Sequence, residues 1–314
     1  MAETRFEWVD NNDLAGANPQ SRKAALAGRQ LPPLLRGLAA TSSQYDPSPQ
    51  LRDAVNVALT LGMPLLITGE PGTGKTHCAY WLARHFGIPD SHFFKVDTRS
   101  TTTHHDLLWR FDAVKYLHAA YVNKDPNKTI EKKDYVEKGP LWKAYLTTEP
   151  TVLLIDEIDK ASRDFPNDLL FVLDQREFEP PEWGEMVRPK ASAPPIVVIT
   201  SNSEKRLPEP FLRRCVFHHI EFNEELVKRA VQAHGHHFPN LPQPVIDAAI
   251  ARFFDLRAQT LLKPPATAEL LVWLAVLAAQ GVRDAAKVAD QSLADLARGG
   301  LLVKHHEDIE RLSR

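Results

Sequence analysis

Cysteine is scarce in this chain. Cys78 and Cys215 stand alone in different segments, so neither a disulfide framework nor a thiolate metal knuckle can be built from them. Long apolar runs are missing too. No uninterrupted stretch approaches the roughly 20 residues needed to cross a bilayer, which argues against a helical membrane span. Nor does charge of one sign dominate. The 38 Lys+Arg and 40 Asp+Glu leave a formal net charge of −2, too little for a whole-molecule field that gathers nucleic acid or an anionic membrane. The opening Met1-Ala-Glu-Thr-Arg5 lacks the basic-then-apolar pattern of a secretory signal. These absences predict a soluble cytoplasmic protein with no appended nucleic-acid module.

What is present is a core-forming composition, 43% hydrophobic over 314 residues, enough for two lobes. Residues 1–44 are a polar, poorly periodic leader, interrupted by Leu31-Pro-Pro-Leu-Leu-Arg36. Ser48 then offers a helix cap, with Leu51, Val55, Ala58 and Leu61 on one face. Short apolar runs at 64–68, 93–96, 151–155, 196–200 and 217–222 read as strands, and helical patterns separate them. Such alternation predicts an α/β domain over 45–222, a mostly parallel sheet covered by helices on both faces. After Phe222 only helical patterns follow, at 224–234, 244–259, 267–280 and 284–298, which predicts a small all-α domain over 223–314.

Between strand and helix lies Gly69-Glu70-Pro71-Gly72-Thr73-Gly74-Lys75-Thr76, which satisfies the P-loop pattern at every fixed position. Glycines let backbone N–H groups crowd around phosphates where a Cβ would clash, and the following helix turns its positive end to the same anion. Lys75 is placed to reach the β- and γ-phosphates and Thr76 to ligate magnesium.

Two later strands end in polar groups. Thr151-Val-Leu-Leu-Ile-Asp156-Glu157 leaves two carboxylates at the end of a buried run, which would be costly without a purpose. Beside a P-loop, Asp156 can hold magnesium through water, and Glu157 can orient and polarise the attacking water. Ile196-Val-Val-Ile-Thr-Ser-Asn202 ends in an amide that could contact the γ-phosphate or that water; taken alone it would be a turn residue. Arg213 and Arg214 follow a short helix. They are open to two readings: intrachain salt bridges, or guanidinium groups at a subunit edge that reach a neighbour's γ-phosphate.

P-loop, Asp-Glu strand end, Asn strand end and Arg-Arg pair, in that order, resemble the AAA+ superfamily. The wording around them is similar to the MoxR-like branch: Asp53-Ala-Val-Asn-Val-Ala58, Lys138-Gly-Pro-Leu-Trp142, Asp156-Glu-Ile-Asp-Lys160 and Leu207-Pro-Glu-Pro-Phe-Leu212. The resemblance covers about 45–314. It implies a P-loop core followed by a helical lid, and a hexameric or other ring that hydrolyses ATP with Mg2+ at subunit interfaces. Arg214 would then be the trans-acting finger, with Arg213 close behind, and Asn202 would take the sensor-one position. It further implies chaperone-like remodelling of a protein partner, often one carrying a von Willebrand factor A domain. One departure stands out: the arginine expected at the start of the lid helix is Ala268, with Lys263 a possible substitute.

Alternative readings are a nucleotide-gated assembly module with slow hydrolysis and a nucleic-acid-directed motor of a restriction or defence system. The near-neutral charge argues against the latter. His234-Gly-His236-His237, His104-His105 and His218-His219 read as surface or helix-end histidines rather than metal ligands. Val122 to Lys138 reads as a solvated loop or hairpin. Arg176 to Lys190 reads as a hairpin with an exposed Trp183 that could meet a partner, a pore or the lid. Thr101 to Arg110, with Trp109, is the other pore-facing candidate.

Overall fold

A cap, a proline and a glycine set the bounds of the first helix, α1 (Pro49–Leu61). The Ser48 hydroxyl accepts from the Leu51 N–H at 3.2 Å, Pro49 occupies the first turn, and Gly62 ends the helix at φ +63°. Its buried face is Leu51, Val55 and Ala58. The computed structural model describes residues 45–122, 130–192, 194–203 and 207–313. The leader expected over 1–44 lies outside the described residues. The chain divides into two compact units, one of Ser42–Asn223 and one containing Glu224–Arg314.

In the first unit the apolar runs become β1 (Leu65–Gly69), β2 (Phe93–Asp97), β5 (Val152–Asp156), β6 (Ile196–Ser201) and β7 (Val216–Ile220). They pair in the order β2-β5-β6-β1-β7, every pairing parallel. β1 and β5 are buried along their whole length, whereas the edge strands β2 and β7 alternate in exposure. Helices α2 (Lys75–His85), α3 (His104–Leu108), α5 (Pro140–Leu146), α6 (Phe165–Gln175) and α7 (Glu209–Leu212) connect them. The core runs through Leu66, Leu153, Ile155 and Ile199 of the strands to Trp142, Tyr145, Phe165 and Phe211 of the helices.

Two expectations change here. The segment expected as a loop or hairpin from Val122 holds more structure than its polarity suggested. Helix α4 (Ala113–Val122) ends at its start, and after 123–129, outside the described residues, β4 (Val136–Lys138) pairs antiparallel with β3 (Trp109–Phe111). Three-residue strands are too short to show a period in sequence. No residue of α4 is buried, and Val114, Leu117 and Tyr121, three and four apart, are 79%, 64% and 91% exposed on one face. Trp183, by contrast, is half-buried. Its ring meets Trp142 edge-on at 5.2 Å, with Lys138 Nζ 5.0 Å from its centroid, while Trp109 stacks on Phe178 at 5.8 Å. Both tryptophans are anchored in one aromatic cluster of their own unit, because these large rings bury more area there than a loop tip allows.

The second unit holds α8 (Glu224–Ala233), α9 (Gln243–Arg257), α10 (Thr267–Ala279), α11 (Ala286–Ala289), α12 (Leu293–Arg298) and α13 (His306–Ser313). The single helix expected over 284–298 is two, since Ser292 caps α12 by accepting from the Asp295 N–H at 3.1 Å. The terminal helix α13, absent from the sequence reading, buries Asp308 completely. Its carboxylate accepts from the Leu262 N–H at 3.0 and 3.1 Å, pinning the turn before α10.

Candidate functional site

The glycine loop starts where β1 ends. At Gly69 (φ +147°) a Cβ would lie 2.6 Å from the Ile220 carbonyl oxygen of β7, and at Gly74 (φ +87°) it would lie 2.8 Å from the Tyr45 ring. Neighbouring groups as well as φ therefore require glycine at both positions. Between them, Glu70, Pro71 and Gly72 turn the chain, and the buried Thr73 donates its hydroxyl to the Glu70 carbonyl at 2.8 Å. Lys75 opens α2 only 6% exposed, and its Nζ donates to the carbonyls of Gly69 and Glu70 at 2.8 Å each. Burial pushes its pKa down to about 8, against the opposing pull of Asp159, Asp156, Glu157 and Glu70.

Across the sheet, Asp156 ends β5 7% exposed. Its Oδ1 accepts from the Thr76 hydroxyl at 2.8 Å and from the Thr200 hydroxyl at 2.6 Å. Its Oδ2 faces Lys95 Nζ at 3.2 Å, and that ammonium also sits 2.6 Å from Asp97 Oδ1. Burial works against the charge on Lys95, but the hydrogen bonds and charges of Asp97 and Asp156 outweigh it and hold the pKa above its ordinary value. Glu157 adopts a left-handed conformation, φ 58°, uncommon for a residue with a side chain and costing about 1–2 kcal/mol. Its N–H donates to Thr200 Oγ1 at 2.8 Å, and Thr98 donates its hydroxyl to the carbonyls of Asp156 and Glu157. The Glu157 carboxylate pairs with Lys160 through Oε2 and takes the Asn202 amide at 3.4 Å on Oε1. Asn202 is itself held by its N–H on Asp159 Oδ1 at 3.0 Å.

P-loop, Asp156, Glu157 and Asn202 thus meet at the carboxyl ends of β1, β5 and β6. Arg213 and Arg214 do not join them. They precede β7, whose Val216 is opposite Leu65 and donates to the Pro64 carbonyl at 2.8 Å, whereas Ile220 is opposite Gly69. Four strand residues, about 13 Å at 3.3 Å each, separate the two levels. That is farther than an arginine side chain extends. Arg214 Nε lies 3.2 Å from Asp174 Oδ2 of α6, and Arg213 Nε lies 3.2 Å from Glu209 Oε1, both pairs well exposed. In the helical unit Ala268, in the first turn of α10, has no polar side-chain atom. The Lys263 side chain is exposed on the turn that Asp308 pins.

Sequence reasoning missed Thr98, Thr200, Lys95 and Asp159. A threonine inside an apolar strand run was the available signal for Thr200, and Asp159 stood within the Asp156-Glu-Ile-Asp-Lys160 stretch; Thr98 and Lys95 carried none, because the Asp156 they serve lies on another strand.

The residues fit a magnesium–nucleotide complex. The loop is a cradle that a Cβ would fill at Gly69 and Gly74. Thr76 and Asp156 offer hard oxygen donors, the type magnesium prefers, and Lys75 brings an ammonium already accepted by loop carbonyls. Residues 64–215, just under half of the chain, match the family model described as AAA domain, dynein-related subfamily. No curated protein matches the chain. Glycine loop, acidic strand end and five-stranded parallel sheet agree with that match, which supports placing the α/β unit in the AAA+ ATPase superfamily.

Proposed function

We propose that this chain hydrolyses ATP at sites completed by a neighbouring copy in a ring, hexameric or otherwise, and uses the cycle to remodel a protein partner. One observation carries the proposal: the phosphate-side groups and the arginine pair sit at opposite ends of one parallel sheet, the former after β1, β5 and β6 and the latter before β7. Lys75 and the loop N–H groups would hold the phosphates, and Thr76 and Asp156 the magnesium, which when bound neutralises phosphate charge. Glu157, aimed by its left-handed backbone and by Asn202, would accept a proton from the attacking water. Arg214, with Arg213 beside it, would act on the neighbour's nucleotide, since neither can reach its own.

The exposed apolar face of α4 supports a protein as the partner, because contiguous exposed apolar area marks protein contacts. The net charge of −2 weighs against a nucleic-acid motor of the restriction type. The chaperone-like role, the MoxR-like branch, a partner with a von Willebrand factor A domain and a cytoplasmic setting remain part of the proposal through the sequence resemblance alone. A second reading, a nucleotide-gated assembly module with slow hydrolysis, is favoured by one contact: Glu157 is already paired with Lys160.

The test is the specific ATPase rate against protein concentration, with Glu157→Gln protein as the blank. A specific rate that rises and then levels off supports a site completed by a neighbour. A rate equal to the blank, with ATP still bound, supports the gated module and sinks the enzyme.

A further inference from the structure

The two oxygens of Asp156 have separate partners. Oδ1 is served by the hydroxyls of Thr76 and Thr200, and Oδ2 by the ammonium of Lys95. The hydroxyls suffice to orient the carboxylate, and the proposed cycle, in which Asp156 holds magnesium, gives no role to an ammonium on the other oxygen.

Lys95 comes from β2, the edge strand beside β5. The register sets Asp97 opposite Asp156 and Lys95 opposite Leu154, so Lys95 and Asp97, two apart, project from one face of the sheet beside Asp156. The ammonium therefore straddles two carboxylates on adjacent strands, 2.6 Å from one and 3.2 Å from the other. About a third of the Lys95 side chain is exposed, so the group is screened in part and can shift between the two acids.

A positive charge at this point acts in opposite senses on the two components of a magnesium–nucleotide complex. It offsets the repulsion that Asp156, Asp97 and Glu157 exert on a bare triphosphate. Toward a divalent cation near Asp156 it is repulsive, and it competes for the same carboxylate. Both effects reduce the advantage of bringing magnesium in with the nucleotide.

We infer that Lys95 is a positioning residue and tethered counter-ion for Asp156, which sets how strongly nucleotide binding depends on Mg2+. The inference rests on the nucleotide-binding part of the proposed function.

The experiment measures the dissociation constant of a fluorescent ATP analogue for the full chain, in Mg2+ and in EDTA, and takes their ratio, EDTA over Mg2+. Lys95→Met should raise that ratio about tenfold, and Lys95→Arg should return it to within about twofold of the wild type. Asp97→Asn, which leaves the ammonium wholly to Asp156, should move it the other way, about threefold below the wild type. A folded Lys95→Met protein whose ratio matches the wild type overturns the inference while leaving the nucleotide site standing. If Lys95→Met does not fold, Lys95→Gln decides, and an unchanged or lowered ratio overturns it. Wild-type protein that binds the analogue in neither medium overturns the nucleotide reading, and this inference with it.

Discussion

At the carboxyl ends of β1, β5 and β6, Asp156 is 7% exposed and receives two hydroxyls and an ammonium, and Lys75 is 6% exposed and held by two carbonyls. At the amino end of β7, Arg213 and Arg214 are 77% and 54% exposed at the side chain, each with one carboxylate at 3.2 Å. Burying charge is expensive unless it is paired and hydrogen-bonded, and each member of the first set has at least two such partners. Exposed pairs contribute little and exchange partners readily. One end of the sheet is thus organised within the chain. The other is held only by exposed pairs, as the proposed function asks of residues that act on a neighbour's nucleotide.

The sharpest way to break this contrast is to neutralise the buried end where water would be handled. Glu157→Gln should lower turnover by about 10³-fold or more while leaving ATP affinity within about threefold, since the amide keeps the packing and loses the basicity. Steady-state hydrolysis and equilibrium binding measured on one preparation decide it, and wild-type turnover would remove Glu157 from its role. Next comes the exposed end. Arg214→Ala should cost about 10²-fold in turnover, Arg213 covering part of the loss, with nucleotide affinity unchanged. Adding Lys75→Ala subunits, which retain their arginines, should restore part of the rate. No recovery at any mixing ratio would mean that Arg214 serves only Asp174.

Smaller effects test the second layer. Thr200→Val removes a donor from Asp156 and the acceptor of the Glu157 N–H, so turnover should fall about tenfold and stability by about 1–3 kcal/mol. Calorimetry and kinetics should move together; a change in melting alone would make Thr200 purely structural. Last is pH. Burial lowers the Lys75 pKa from 10.5 to about 8, so the fold disfavours its charged form, and the stability contribution of this group rises as pH climbs from about 8 toward 10.5. Phosphate binding needs the charged form, so ATP affinity should weaken several-fold per unit as pH rises through about 8. Titrations of the fluorescent analogue across that window check it, and a flat profile would mean that the ammonium does not meet phosphate.

Much of this was legible in the chain. Pro64 to Thr76 announces strand, glycine loop and helix because its spacing is local, and Thr151 to Glu157 announces a buried strand ending in acids for the same reason. Less was legible in the insertion between β3 and β4. Its strands are three residues long, and its helix α4 carries Val114, Leu117 and Tyr121 outward, the reverse of the inward apolar stripe by which a helix is recognised. Trp183 misled because a tryptophan between prolines and glycine resembles a loop tip, while Trp142 and Lys138, which hold it, lie far back in sequence.

By itself the sequence determined the phosphate loop, the two carboxylates and the α/β-then-helical order, since each depends on residues within one strand or turn. Tertiary structure alone set which hydroxyls and which ammonium serve Asp156, and that the arginines lie at the other end of the sheet from the site they accompany. Thr200 and Thr98 reach Asp156 from 44 and 58 residues away, and the parallel pairing of β5 with β2 and β6 brings all three together. Strand order and register are set by packing of the whole sheet, which no local pattern encodes.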